Sequence, residues 1–204
     1  MIFREEKTKN YHLGIWKIEE SKDELLSFLD NESFLDKDVL NLKSESKLLE
    51  RLAVRVLLKH LLKKEVEIKY QLSGKPYLKD TNKNISISHT KGYVAILMNN
   101  DVYTGIDIQY LTDKVKNIRS RFVSSDEYIC EHQQLLHLIL HWSAKETMYK
   151  VFGQGINLKE SFHVIKFEPE PTGQIQVLET FTTDKNLLNI TYKVFSDFVL
   201  TYTA

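Results

Sequence analysis

Three groups of residues combine types and spacings that could do chemistry. The first is Gly105-Ile106-Asp107-Ile108-Gln109, in which Asp107 and Gln109 stand two apart. On a strand they share one face, and Ile106 and Ile108 take the other. An acid in an apolar strand is costly to bury unless it is paired or holds a cation; a strand-end Asp capping a turn is the ordinary alternative. The second group is Trp142-Ser143-Ala144-Lys145-Glu146-Thr147-Met148-Tyr149-Lys150. On a helix, Trp142, Glu146 and Lys150 recur at i, i+4 and i+8 and line one face. A solvated Glu–Lys pair would contribute only about 0.3 kcal/mol, but an indole on the same stripe makes that face partly buried and points to a cleft. The third group joins Ser73-Gly74-Lys75-Pro76 to Ser86-Ile87-Ser88-His89-Thr90. A lysine on a turn and hydroxyls beside a histidine suit phosphate oxygens; a polar strand edge with a capping His is the alternative. A Ser-His-Asp hydrolase fits poorly, because Ser88 and His89 are adjacent and no G-x-S-x-G elbow is present.

The elements that must position these groups follow from periodicity. His12–Lys17 reads as a strand, and a polar helix starts near Ser21. Leu48, Leu49, Leu52, Val56 and Leu57 recur at helical spacing and predict a long helix over Glu45–Leu62. Val66–Ile68 alternates as a short strand, Leu72–Leu78 is a turn leading into an extended step, and Asn84–His89 alternates with period two. Tyr93–Met98 and Val102–Ile108 are two apolar strands whose linker, Asn99-Asn100-Asp101, predicts a hairpin. A second helical region runs from about Ser125 to Phe152 and ends at Gly153 and Gly155. Strands and turns follow from Phe162. Each half thus carries one long helix and several antiparallel strands. The expected fold is α+β in two similar lobes, 1–101 and 102–204.

Composition narrows the partners. The 204 residues include 28 basic and 28 acidic side chains. A balanced chain lacks the basic excess of nucleic-acid and anionic-membrane binders. Its single cysteine, Cys130, excludes an internal disulfide. The opening MIFREEKTKN has no apolar core of a signal peptide, and no run reaches the roughly 18 apolar residues of a membrane span. The cytoplasm is the expected location. The N-x-S/T triplets at Asn31, Asn84 and Asn189 are then chance matches.

Taken in order, G-K-P, I-S-H-T, G-I-D-I and W-S-x-K-E-x-x-x-K resemble the 4′-phosphopantetheinyl transferase superfamily, most closely its two-lobed, single-chain Sfp type. The resemblance runs from about Lys75 to Gly155. The helix segment Arg51-Leu-Ala-Val-Arg55 is similar to the family helix whose arginine meets the coenzyme A nucleotide. Ile118–Phe122 with Ser125 to Glu127 is similar to the segment linking the two main motifs.

The resemblance implies an enzyme that moves the 4′-phosphopantetheine arm of coenzyme A onto a serine of an apo acyl or peptidyl carrier protein. Magnesium would be required, and 3′,5′-ADP would be released. Such holo-carrier-protein synthases serve fatty-acid or secondary-metabolite synthesis. Asp107 and Glu146 would be metal ligands. Gln109, where many members have an acid, would be a neutral or water-bridged one. Glu146 would also take the serine proton, and Lys150 would stabilise charge on the phosphates. Lys75, Ser88, His89, Lys145, Arg55 and Arg51 would hold the nucleotide and pyrophosphate. Lys114, Lys116, Arg119 and Arg121 would face an acidic carrier. The first lobe would serve the nucleotide, the second the metal and catalysis, and the two-lobed type implies a monomer. Two other readings stay open: a degenerate relative that binds carrier or coenzyme A without turnover, favoured by Gln109, and an unrelated nucleotide binder, which would lack both a Walker loop and G-x-G-x-x-G.

Overall fold

A computed structural model describes residues 1–30, 39, 42–79, 81–101, 103–153 and 155–204. The chain forms two compact units, Met1–Val102 and Tyr103–Ala204. The fold is α+β, and each unit sets one long helix against an antiparallel sheet.

In the first unit the sheet order is β1-β2-β6-β5-β4-β3. The strands are β1 (Ile2–Lys7), β2 (Tyr11–Lys17), β3 (Ile68–Tyr70), β4 (Pro76–Leu78), β5 (Asn84–Thr90) and β6 (Tyr93–Asn99). Helix α1 (Lys22–Ser27) opens on a capping box: Glu24 N donates to Ser21 Oγ and Ser21 N to the Glu24 carboxylate. Helix α2 spans Glu45–Leu62, the range its leucine spacing predicts. Ser44 caps its start and Lys63, left-handed at φ 57°, ends it. Leu52, Leu57 and Leu61 of α2 pack with Ile85, Val94, Ile96 and Met98 of the sheet. Each such side chain fully buried contributes about 1.5–3 kcal/mol, which is what fixes the helix on the sheet.

The second unit has the order β7-β11-β10-β9-β8. Its strands are β7 (Ile106–Tyr110), β8 (Phe162–Val164), β9 (Thr172–Glu179), β10 (Leu187–Val194) and β11 (Phe198–Thr203). Two short helices, α3 (Lys114–Asn117) and α5 (Leu158–Ser161), flank the long α4 (Gln134–Phe152). Leu138, Leu140, Ala144 and Met148 of α4 meet Phe162, Val164, Ile175, Val177, Ile190 and Val199 of the sheet.

Two expectations need correction. The strands on either side of Asn99-Asn100-Asp101 do not form a hairpin. β6 pairs with β2 and β5, and β7 pairs with β11. Asn99-Asn100-Asp101 instead closes the first unit, with Asn84 Nδ2 donating to Asp101 O at 2.9 Å. The second long helix starts at Gln134, not near Ser125. Residues 125–133 fold as turns held by side chains: Cys130 N donates to the buried His137 Nδ1 at 2.8 Å, and Ser124 N to Glu127 Oε2 at 2.7 Å. Such local bonds compete with helix formation. The triplet at Asn31 lies outside the described residues.

Candidate active site

Asp107 is brought to the long helix by its strand. β7 runs antiparallel to β11, with Asp107 directly opposite Thr201. Gly105 lets the start of β7 approach α4 closely, since a Cβ there would lie 2.5 Å from Thr147 O. Asp107 is 2% exposed, a cost that its partners offset. Ser143 Oγ donates to Oδ2 at 2.9 Å, and Lys150 Nζ donates to Oδ1 at 2.9 Å and to Ile106 O at 2.8 Å.

Glu146 lies between these two partners on α4, three residues after Ser143 and one turn before Lys150. Burial pushes its carboxyl up to about 7, the nearby Asp107 carboxylate pushes the same way, and Lys150 offsets part of the rise. Two acids therefore share one half-buried site with one ammonium. The face expected from the sequence is present: Trp142, Glu146 and Lys150 are all half-buried, and the Trp142 indole meets Phe122 edge-on at 5.2 Å. Gln109 is half-buried on the same strand side as Asp107, opposite Val199.

This donor set fits magnesium. The ion takes one or two carboxylates and fills its octahedron with water and ligand phosphate oxygens. A cation would also relieve the repulsion that raises Glu146. Among the described residues no group of three or more His, Cys, Asp and Glu side chains is arranged to hold a metal. Asp107 and Glu146 offer two carboxylates, and the ion's other positions would fall to water and ligand oxygens.

Lys145, expected beside the substrate phosphates, is not brought to this site. It is fully buried, donating to Phe122 O at 2.6 Å and paired with Glu127 at 2.7 Å. Glu127 also accepts from the backbone N of Ser124 and Val164. Spacing explains the difference: Lys145 and Glu146 are neighbours on a helix, so they project about 100° apart. Glu127 and the buried hydroxyls Ser143, Thr147 and Thr201 were not singled out from sequence. Ser143 stands in the motif, but no local pattern shows that Thr201 faces Asp107.

The remaining nucleotide candidates lie in the first unit, and the basic residues expected to face a carrier lie in the second. His89, on β5, is exposed and its Nδ1 pairs with Glu50 at 3.1 Å. Ser88 beside it is buried. Lys75, on the turn into β4, is half-buried, and burial lowers the affinity of its amine for a proton. Arg51 is exposed and donates to Tyr70 OH at 2.7 Å, whereas Arg55 is buried and donates to Arg51 O at 3.0 Å. Lys114, Lys116, Arg119 and Arg121 are all exposed on α3 and the following turn, anchored beneath by Val115, Phe122 and Val123.

Residues 103–203 match the family model of the 4′-phosphopantetheinyl transferase superfamily. The chain belongs to that superfamily through this C-terminal domain, which contains Asp107, Glu146 and Lys150. No curated protein matches the chain. Among the described residues no helix is long and apolar enough to cross a membrane.

Proposed function

We propose that the chain is an Sfp-type enzyme that transfers 4′-phosphopantetheine from coenzyme A to a serine of an apo carrier protein, with magnesium, releasing 3′,5′-ADP. The observation that carries this reading is the Asp107–Lys150 pair at 2.9 Å with a second, half-buried carboxyl, Glu146, one helical turn before Lys150 and close enough to feel both charges. The carrier hydroxyl oxygen forms a bond to the pantetheine-side phosphorus, and the bond from that phosphorus to the departing 3′,5′-ADP breaks. Glu146 takes the hydroxyl proton; a base titrating near the working pH is best matched to that task. Lys150 supplies charge to the transferring phosphate and the leaving group.

Asp107 and Glu146 would hold the magnesium, with Gln109 as a neutral ligand, direct or through water. Bound there, the ion would neutralise and orient the pyrophosphate. The first unit would supply the nucleotide contacts. Lys75, His89 and Arg51 offer charged or hydrogen-bonding groups that reach solvent, and Ser88 and Arg55 would support them from buried positions. Local cations of this kind let a chain of zero net charge take a polyanion. The exposed Lys114, Lys116, Arg119 and Arg121 suit an acidic carrier surface.

The test is mass spectrometry of candidate apo-carriers incubated with the protein, coenzyme A and magnesium. We expect a gain of one phosphopantetheinyl group, and a rate at least ~10²-fold lower with Glu146→Gln, the lower range for losing a positioned base. No gain on any carrier, with coenzyme A still bound, favours the non-catalytic binder. A Glu146→Gln rate equal to wild type removes Glu146 from the chemistry.

A further inference from the structure

The first half of α4 carries two histidines, His137 and His141, spaced so that they share one face of the helix. Their rings lie 4.8 Å apart, and the residues keep 0% and 1% of their exposure. Phe167 meets both rings, edge-on to His137 at 4.4 Å and stacked on His141 at 5.6 Å, and the Tyr128 ring meets His137 at 5.7 Å. Among the described residues, His137 Nε2 and both nitrogens of His141 find no hydrogen-bond partner of good geometry. His137 Nδ1 differs, because it accepts from Cys130 N at 2.8 Å. A backbone amide can only donate, so Nδ1 presents a lone pair and the neutral ring holds its proton on Nε2.

That bond ties the turn before α4 to the helix. The turn is pinned at its start by Glu127, which accepts from Ser124 N, Val164 N and Lys145, and it passes into α4 at Gln134. Between these ends, Tyr128 lies under Lys166 Nζ, 4.5 Å from the ring centre, and bonds to Glu168. A proton on His137 Nδ1 would act against the closed turn in two ways. It would place a charge out of water, and it would set two N–H groups against each other where one bond had been. Glu168 alone favours such a charge on His137. At His141 the charges of His137, of Lys145 on the same helix and of His163 on β8 oppose it, and the Tyr128 backbone favours it. Cys130 and, beyond Phe167, Tyr192 of β10 also border the pair. The balance lies against protonation: burial pushes His137 down to about 4 and His141 well below the ordinary imidazole range.

We propose that His137, enclosed by His141 and Phe167, is an acid-sensitive latch: neutral, it holds the turn at residues 128–133 on α4, and charged, it releases that turn. Opening the turn returns the imidazole to its ordinary 6.5, so the open state binds a proton that the closed state refuses. The hold is complete above that value and is lost as pH falls from about 6.5 towards 4. Glu146 works in the opposite sense, since its raised carboxyl gains a proton over much of the same range and thereby steadies the fold. Global stability mixes the two effects, and local opening of the turn separates them.

The experiment is amide hydrogen exchange on the full chain at pH 7 and pH 4.5, each rate being converted to an opening constant against the unstructured rate at the same pH. In the wild type, the opening constant at Cys130 should rise about 10²-fold, the ratio that a fall from 6.5 to about 4 gives over this interval. Amides in the middle of β10 and β11 should change far less. His137→Asn keeps an atom that can accept from Cys130 N but gains no proton, so its Cys130 opening should not depend on pH. A wild-type opening constant that is the same at both pH values overturns the latch. So does an equal acid-driven rise in His137→Asn, which would assign the opening to carboxyls such as Glu127 or Glu168. An NMR titration of the wild-type imidazoles decides independently of any variant: His137 should hold its proton on Nε2 and stay neutral at pH 5, and a His137 ring that titrates near 6.5 overturns the proposal.

Discussion

Lys145 and Lys150 stand on the same helix, α4, and each is bonded to a carboxylate, yet the two pairs live in different media. Lys145 and Glu127 are both without solvent exposure. Glu127 is saturated by Lys145 and two backbone donors, and Lys145 by Glu127 and a carbonyl. Burial lowers the Lys145 amine's hold on its proton and Glu127 offsets this. The pair ties the turn at residues 122–127 to β8 and α4. Lys150 keeps 25% of its side-chain exposure and Asp107 only 3%, beside a second, half-buried acid, Glu146. The closed pair is an anchor. The Lys150 end of the other pair stays within reach of water. A lysine and an acid in a helix motif thus do not share a role because they share a motif; access to water separates them.

The largest expected effect tests the anchor. Lys145→Met leaves Glu127 buried without its counter-charge, which costs about 3–5 kcal/mol when one partner of a buried pair is removed. Lys150→Met should cost less, because the buried Asp107 keeps the Ser143 hydroxyl and the Lys150 end of the pair reaches water. Urea unfolding of both variants reads this directly. Equal losses would erase the distinction between the pairs.

A second effect comes from Glu146. Its carboxyl is raised from the ordinary 4.5 to about 7, chiefly by burial and then by Asp107. A group whose folded value is raised contributes stability below the unfolded value and loses it as pH rises through the folded one. Ionising Glu146 therefore costs stability between about pH 4.5 and 7. At about 1.4 kcal/mol for each pH unit between those two values, Glu146→Gln should be more stable than wild type by roughly 3.5 kcal/mol at pH 8 without metal, and the gain should vanish near pH 4. A gain that does not depend on pH would mean that packing, not charge, sets the difference. Active sites commonly carry such a cost.

Most of this molecule was legible where short-range periodicity decides. Helix α2 has the bounds its leucines predict because its apolar stripe faces one sheet. β1 went unread because an edge strand carrying Arg4, Glu5 and Glu6 shows no apolar alternation. The false hairpin at Asn99–Asp101 shows the opposite failure: apolar strands around a polar turn do not reveal their partners, and β7 finds β11 some ninety residues away. The motifs named Asp107, Glu146 and Lys150, which the fold brings together. They also named Lys145, whose partner Glu127 lies in a polar segment that sequence alone read as helix. The hydroxyls holding Asp107 were unreadable for the same reason as β11, since their contact is purely tertiary.

The smallest expected effect concerns Gln109, which tests how far the open site extends along β7. It lies on the strand face of Asp107 and is half-buried. Gln109→Glu would set a third carboxylate near Asp107 and Glu146. Unit charges about 4 Å apart interact by roughly 4 kcal/mol at an effective dielectric of 20, but desolvation removes much of this, and a half-exposed side chain can turn to water. We therefore expect a modest change with opposite signs in two measurements. Without metal, repulsion among the acids should lower the unfolding midpoint at pH 8 and lower it less at pH 4, where Glu146, raised to about 7, is protonated. With magnesium, the half-saturating concentration should fall several-fold. Turnover need not follow, because the added charge also opposes the incoming pyrophosphate. If neither the pH 8 midpoint nor the magnesium half-saturation moves, Gln109 points away from the ion, and Asp107 and Glu146 are its only protein ligands on this face.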